Sequence, residues 1–154
     1  MSWYPLNEEN NDYIWSQVNG IIKWKPGSEF YKIKPPKPYS VFDVSINIDK
    51  ETIDDLESKM LKAFQACTTP QETMYALDWQ HESYVFHPHG RIPKDEFGEW
   101  PVPIFPNGDY YFFFHQNFEW GVLGDPWHQT ITLFGEKILN QVEHDKPIIF
   151  RENI

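Results

Sequence analysis

Five aromatic residues in succession, Tyr-Tyr-Phe-Phe-Phe at positions 110–114, constrain the fold of this chain more than any other feature. Successive side chains of a β-strand point to opposite faces of the sheet, so a strand with this sequence presents aromatic rings on both faces. Each ring buries a large apolar area when another part of the chain covers it. The run therefore predicts a strand in the middle of a sheet, with cover on both faces.

The rest of the composition agrees with a sheet-centred core in one domain. The chain has 154 residues, and Phe, Trp and Tyr make up 18% of them. A chain of this length buries roughly 70% of its unfolded surface, which is enough for a core without disulfides. No repeat, low-complexity stretch or long linker divides it, so we predict a single domain over residues 1–154. The one cysteine, Cys67, excludes an internal disulfide and fits a reducing compartment.

Helical periodicity appears three times. Apolar residues at helical spacing predict helices over 10–24, 50–67 and 135–143. The second is the best marked, because Asp49 suits the N-cap position and Ile48 before it can pack on Ile53. Cys67 ends its apolar stripe, which indicates packing in the core rather than reactivity.

Strand-like segments lie mostly in the second half of the chain. We predict strands over 39–45, 73–79, 84–87, 110–114, 118–123 and 130–134, with residues 147–150 as an added edge strand. In segment 118–123, Glu119 and Gly121 alternate with apolar residues, which predicts a half-exposed strand. Hairpin order with helices near the chain ends indicates an α+β fold. The prediction is a single antiparallel aromatic-rich sheet of about five or six strands with two or three helices packed on it.

Charge and the N-terminal sequence exclude some classes of function. The formal net charge is −10, so the chain should repel phosphate backbones, and we expect no nucleic-acid partner. One basic stretch, with five lysines between positions 23 and 37, is interpreted as a solvated, proline-rich connector. The start has no basic segment followed by an apolar one, and no run is long enough to cross a bilayer. We therefore expect a cytoplasmic protein without a membrane partner.

A first candidate site combines Asp78 with three histidines, His81, His87 and His89, near the ends of two adjacent predicted strands. Three imidazoles and a carboxylate could bind zinc or another divalent ion. The spacing matches no established ligand signature, and Pro88 separates two of the histidines. The alternative is a set of polar loop residues in which Asp78 and His81 bond the backbone.

A second candidate is the segment Gly-Asp-Pro-Trp-His at 124–128. Asp125 and His128 could form an acid–base pair beside an aromatic ring. A tight turn explains the same residues, with the aspartate capping the turn, the proline fixing it and Trp127 filling the core. The loop 88–108, which precedes the aromatic run, is unusually long, and long loops are often functional or flexible.

Several blocks of the sequence form a recognisable set: Ala-Leu-Asp-Trp-Gln-His at 76–81, Tyr84 with His87 and Pro88, Pro-Asn-Gly-Asp-Tyr-Tyr at 106–111, the segment 118–131, and Phe134 with Gly135. Together they resemble a bacterial family catalogued as domain of unknown function 2716. Where that family favours Gly-His-Pro-Trp-Glu, this chain has Gly-Asp-Pro-Trp-His, so a role for an acid after the tryptophan does not carry over. The resemblance implies no reaction, substrate or catalytic residue.

Two functions from different classes fit these observations. The first is a small binding protein, of immunity or inhibitor type, whose acidic surface recognises a basic protein; it needs no cofactor and is expected to be a monomer or weak dimer. The second is a metal-assisted hydrolase that uses loop 88–108 and the 124–128 turn, which requires His81, His87, Asp125 and His128 to converge. We find no glycine-rich phosphate loop, Gly-x-Ser-x-Gly or His-Glu-x-x-His motif, which favours binding. The expected binding surface comprises Trp79, Trp100, Asp125, Trp127 and His128.

Overall fold

A computed structural model describes residues 2–45, 49–90 and 100–151 of the chain. Three α-helices occur in these ranges: α1 (Glu8–Ile21), α2 (Lys50–Ala66) and α3 (Glu136–His144), followed by a 3-10 helix over Ile148–Arg151. The strands are β1 (Trp3–Pro5), β2 (Tyr39–Asp43), β3 (Met74–Asp78), β4 (Tyr84–Phe86), β5 (Tyr111–His115), β6 (Gly121–Asp125) and β7 (Thr130–Phe134).

The strands form one antiparallel sheet in the order β1-β4-β3-β5-β6-β7-β2. The aromatic strand β5 is therefore the middle one of seven, and all five of its residues are buried. This confirms the predicted α+β class and the central place of the aromatic run.

Each face of the sheet has its own apolar layer. On one face Phe113 packs among residues of α2, α3 and the 3-10 helix, with its ring 5.6 Å from that of Phe64. On the other face Phe112 and Phe114 pack with Ile14 and Val18 of α1. The N-terminal helix and the connector after it thus supply the second cover that the doubled aromatic faces require.

The strand count and three details of the prediction are wrong. Within the described residues the sheet has seven strands, because Trp3–Pro5 pairs with β4 at the edge, where a proline is tolerated. The tail forms a 3-10 helix packed on α2 instead of an edge strand. The strand after β5 is Gly121–Asp125 rather than 118–123, and it is fully buried rather than half exposed.

Gly121 explains that last error. A Cβ atom there would lie 2.7 Å from the Phe134 ring and 2.9 Å from the Phe113 carbonyl oxygen. The position needs glycine because aromatic rings and a neighbouring backbone approach it closely. Its lack of a side chain therefore reflects crowding, not exposure to solvent.

The helix α2 begins as predicted. Asp49 is the N-cap, and its Oδ1 accepts a 2.8 Å hydrogen bond from the Thr52 amide. Ile48, the predicted staple partner, lies outside the described residues. Cys67 is 6% exposed at the helix end, and burial raises the pKa of its thiol to about 11, in agreement with a core role.

We predict that Phe113→Ala lowers the free energy of unfolding by about 3–5 kcal/mol, because it leaves a cavity in the layer beneath α2. Urea denaturation followed by tryptophan fluorescence measures the loss. Phe30→Ala is the matched control, since Phe30 is 84% exposed; it should change stability by about 0.5 kcal/mol or less. Equal losses in the two variants would contradict the central place of Phe113 in the core.

Candidate functional site

One end of the sheet collects acidic and histidine side chains. Asp78, at the end of β3, is in register with Tyr111 of β5, which is in register with Gly124 of β6. The loops after β3, before β5 and after β6 therefore meet at the same end of the sheet. We call this region the acidic end, and it comprises Asp78, His81, Asp109, Asp125 and His128.

Asp78, His81 and Asp109 form the first group within it. One ligand atom from each lies within 4.8 Å of the others. His81 Nδ1 is 3.2 Å from Asp78 Oδ1 and 3.5 Å from Asp109 Oδ2. Both carboxylates are almost fully buried, whereas the His81 side chain is 70% exposed.

Backbone amides hold the two carboxylates in place. Asp78 Oδ1 accepts from the amides of Gln80 and His81 at 3.0 and 3.1 Å. Asp109 accepts from the amides of Tyr110 and Gln80 at 2.7 and 3.2 Å. The Gln80 amide thus lies between the two acids and ties them into one turn.

The neighbouring Asp78 changes the protonation of Asp109 and His81. Burial, followed by the hydrogen bond with Asp78, raises the pKa of Asp109 to about 6. The hydrogen bond to Asp78, and then its negative charge, raise the pKa of His81. Asp109 and His81 therefore both favour their protonated forms, as expected beside another carboxyl group.

Asp125 and His128 form the second group. His128 Nδ1 is 2.7 Å from Asp125 Oδ2, and His128 Nε2 is 2.8 Å from the backbone oxygen of Glu29. Both neighbours are acceptors, so the two contacts are hydrogen bonds at once only when both ring nitrogens carry a proton. Asp125 also accepts from the amides of Trp127 and His128 at 2.9 and 3.1 Å, which confirms the predicted capped turn.

Aromatic rings lie beside the acidic groups. The buried Tyr110 has its hydroxyl 3.0 Å from the Gly27 amide, which donates to it. Burial raises the pKa of Tyr110, and the charges of Asp125 and Asp109 add to the shift. Trp24 contacts both Tyr110 and Trp79, with ring centroids 5.0 and 6.3 Å away.

Two tryptophans of the expected binding surface are exposed at this end. Trp79 is 42% exposed and Trp127 is 55% exposed. The turn interpretation expected Trp127 to fill the core. This expectation is wrong, because the turn directs the side chain to solvent. Trp100 does lie in the core, at 4% exposure against Trp3 and Phe86, and so is not part of a surface.

The structure does not assemble the predicted three-histidine site. His87 follows β4 at the opposite end of the sheet, where its ring contacts Tyr4 at 5.2 Å. His89 Nε2 lies 2.9 Å from the Thr68 hydroxyl and 3.0 Å from its carbonyl oxygen. In the described ranges, Asp78, His81 and Asp109 are the only group of three that could hold a metal.

Asp109 and Glu29 were not among the predicted site residues. Asp109 stands directly before the aromatic run, but only the pairing of β3 with β5 brings it beside Asp78. Glu29 joins the site through its backbone oxygen, and a backbone contact over 99 residues leaves no mark in the sequence.

The comparisons with known proteins agree with one another. Residues 5–139 match the family described as "Protein of unknown function (DUF2716)". The chain is 56% identical, over 98% of its own length and 98% of the other protein's, to an uncharacterized protein, YxiI, of Bacillus subtilis (strain 168). The chain therefore belongs to the DUF2716 family. No solved structure matches it.

A membrane-spanning helix is absent from the described ranges, where no helix is both long and apolar enough to cross a bilayer.

Asp109→Asn should change how stability depends on pH. Because the folded-state pKa of Asp109, about 6, lies above its ordinary 3.8, the folded protein holds more protons than the unfolded chain between these values. The free energy of unfolding should therefore fall in the wild type, relative to the variant, as pH rises from about 4 to about 6, and then level off.

Urea denaturation in a chelating buffer, repeated across this pH interval, measures the difference between the two proteins. NMR titration of the Asp109 carboxyl carbon checks the cause directly. Parallel stability profiles, together with an Asp109 midpoint near 4, would contradict the raised pKa of Asp109.

Proposed function

We propose that this protein is a binding protein whose acidic end recognises a basic protein partner. The observation that carries the proposal is the exposure of Trp79 and Trp127 beside buried, backbone-anchored acids. An immunity-type or inhibitor-like protein that acts on a basic partner would use such a surface.

The two exposed tryptophans are close enough to act on one partner. Trp79 follows β3 and Trp127 follows β6, and only β5 lies between these strands. Two strand spacings amount to about 10 Å. Tryptophan is enriched among the few residues that dominate the energy of protein interfaces, especially when surrounding contacts exclude water.

Charge favours a basic partner over an acidic one. The acidic end contributes three aspartates, and the whole chain has a net charge of −10. Complementary charge accelerates association and disfavours wrong partners, which suits rapid recognition of a cationic protein.

The way the carboxylates are held favours binding over catalysis. The oxygens of Asp78, Asp109 and Asp125 accept hydrogen bonds from backbone amides of their own turns. These bonds fix the shape of the loops that carry the tryptophans. A rigid surface needs less ordering when a partner binds, which supports affinity.

The double variant Trp79→Ser/Trp127→Ser tests this proposal. Tagged wild type and variant are recovered from cells that express the protein, after cross-linking, and co-purifying proteins are quantified by mass spectrometry. We expect a protein of basic isoelectric point to be enriched by the wild type and reduced at least about tenfold by the variant, because two interface anchors are lost.

Tyr13→Ser is the matched control, since Tyr13 is a 62% exposed aromatic on α1 outside the acidic end. It should recover the same partner as the wild type. Identical protein profiles for the wild type and the double variant would reject the acidic end as a recognition surface.

The second candidate function, a metal-assisted hydrolase, has one observation in its favour. Asp78, His81 and Asp109 offer two carboxylates and an imidazole, a donor set suited to divalent transition metals. The site predicted from the sequence also needs His87, which lies at the other end of the sheet. Calorimetric titration with Zn²⁺ or Mn²⁺, compared between wild type and His81→Ala, tests it: equal heats in both would reject a metal at this group.

We also infer a cytoplasmic location and a monomer or weak dimer that binds neither nucleic acid nor membrane. The free, buried Cys67 supports a reducing compartment, and the net charge opposes contact with phosphate backbones. Cell fractionation and analytical ultracentrifugation test the location and the assembly state.

A further inference from the structure

The connector between α1 and β2 forms a pocket of its own. After Ile21 the chain leaves the helix and folds back, so that the backbones of Lys23 and Lys34 pair through hydrogen bonds of 2.9 and 2.8 Å. The loop closed by this pair borders a cavity of about 750 Å³. That volume lies in the range of small-molecule sites.

Four lysines line the cavity: Lys23, Lys25, Lys32 and Lys34. We call it the lysine pocket. All four are exposed, and within the described residues none forms an ion pair with a carboxylate. In a chain of net charge −10, these four ammonium groups share their pocket with one carboxylate, that of Glu29, so a bound anion would reduce their mutual repulsion.

Aromatic rings accompany the lysines. Phe30, at 84% exposure, and Tyr31, at 57%, both line the pocket, together with Trp24. Lys25 Nζ lies 5.1 Å from the centre of the Tyr31 ring, a cation–π contact. Phe30 is the most exposed large apolar side chain of the described residues, although the same chain buries Phe rings throughout its core.

We propose that the lysine pocket binds a nucleoside di- or triphosphate. Lysine binds phosphate as a point charge, and aromatic rings stack on nucleobases of any sequence. Glu29, the one acid of the pocket, offers a carboxylate to the hydroxyl or amino groups that a nucleotide carries and a simple polyanion lacks.

A small ligand fits this charge distribution better than a nucleic-acid strand does. The lysines occupy one connector, and the remainder of the chain is acidic. A long strand would extend over the acidic surface and be repelled. A mononucleotide remains within about 8 Å of the lysines, the distance over which charges act at physiological salt.

The lysine pocket and the acidic end are different regions that are connected through Glu29. Glu29 lines the pocket, and its backbone oxygen is the acceptor for His128 Nε2 at 2.8 Å. The binding of a nucleotide goes beyond the proposed protein recognition, and it can be tested with purified protein alone. Failure of one proposal therefore leaves the other standing.

Isothermal titration calorimetry with three probes tests the proposal: ATP, inorganic triphosphate and adenosine. We expect ATP to bind, and triphosphate and adenosine each to bind at least about tenfold more weakly. Triphosphate has no base to stack on the aromatic rings, and adenosine has no phosphate to contact the lysines. If triphosphate binds as tightly as ATP, or if ATP does not bind, the proposal is overturned.

Variants locate the binding. Phe30→Ala should weaken ATP about tenfold and leave triphosphate unchanged, because it removes a stacking ring. Lys25→Gln/Lys32→Gln should weaken both ATP and triphosphate at least about tenfold. These side chains are exposed, so the variants are expected to keep the wild-type thermal unfolding curve.

Lys50→Gln/Lys62→Gln is the matched control, since it removes the same charge from exposed positions on α2. It should bind ATP as the wild type does. An equal loss in the control and in the pocket double variant would show a non-specific charge effect, and unchanged binding in all variants would place the ligand elsewhere. Either result overturns the proposal.

Discussion

The packing of alternate rings of β5 into opposite layers is the interaction on which the rest of this structure depends. Phe113 enters the layer beneath α2, and Phe112 enters the layer beneath α1, where the ring centroid of Trp24 lies 4.9 Å away. Neither layer could be removed without exposing half of a fully aromatic strand. Burial of such large rings is among the strongest contributions that single side chains make to folding. The middle position of β5 in the sheet, and the presence of helices on both faces, follow from that one constraint.

The acidic end inherits its geometry from the same strand. Asp109 precedes β5. Tyr111 of β5 is in register with Asp78 of β3 and with Gly124 of β6, so these residues lie at the same end of the sheet. Carboxylates at strand ends cap the turns that follow them, so each acid both shapes a loop and places a carboxylate just beneath the surface. Burial of two such acids side by side has an energetic consequence, since one of them holds its proton to a higher pH than a solvated aspartate does.

Two regions of opposite charge meet where His128 contacts Glu29. On one side is the acidic end with its exposed tryptophans, and on the other is the lysine pocket with Phe30. The imidazole joins them because it faces the Asp125 carboxylate through one nitrogen and a backbone oxygen of the connector through the other. Under our proposals, a protein partner and a nucleotide would occupy neighbouring but distinct sites. A common element, the connector around Glu29, would touch both.

Sequence patterns alone determined the α+β class, the aromatic centre of the sheet and the capped start of α2, because side-chain alternation, helical periodicity and capping are local properties. They also indicated the Asp125–His128 pair, whose members are three residues apart. Only the tertiary structure decided that Gly121 is crowded rather than exposed, that Trp100 is buried while Trp127 is not, and that His81 joins Asp109 instead of His87. It also decided that the proline-rich connector folds back on itself and lines a pocket with lysines. These outcomes depend on which distant segments lie against each other, and that is set by strand order and by the packing of the whole chain, which no local pattern records.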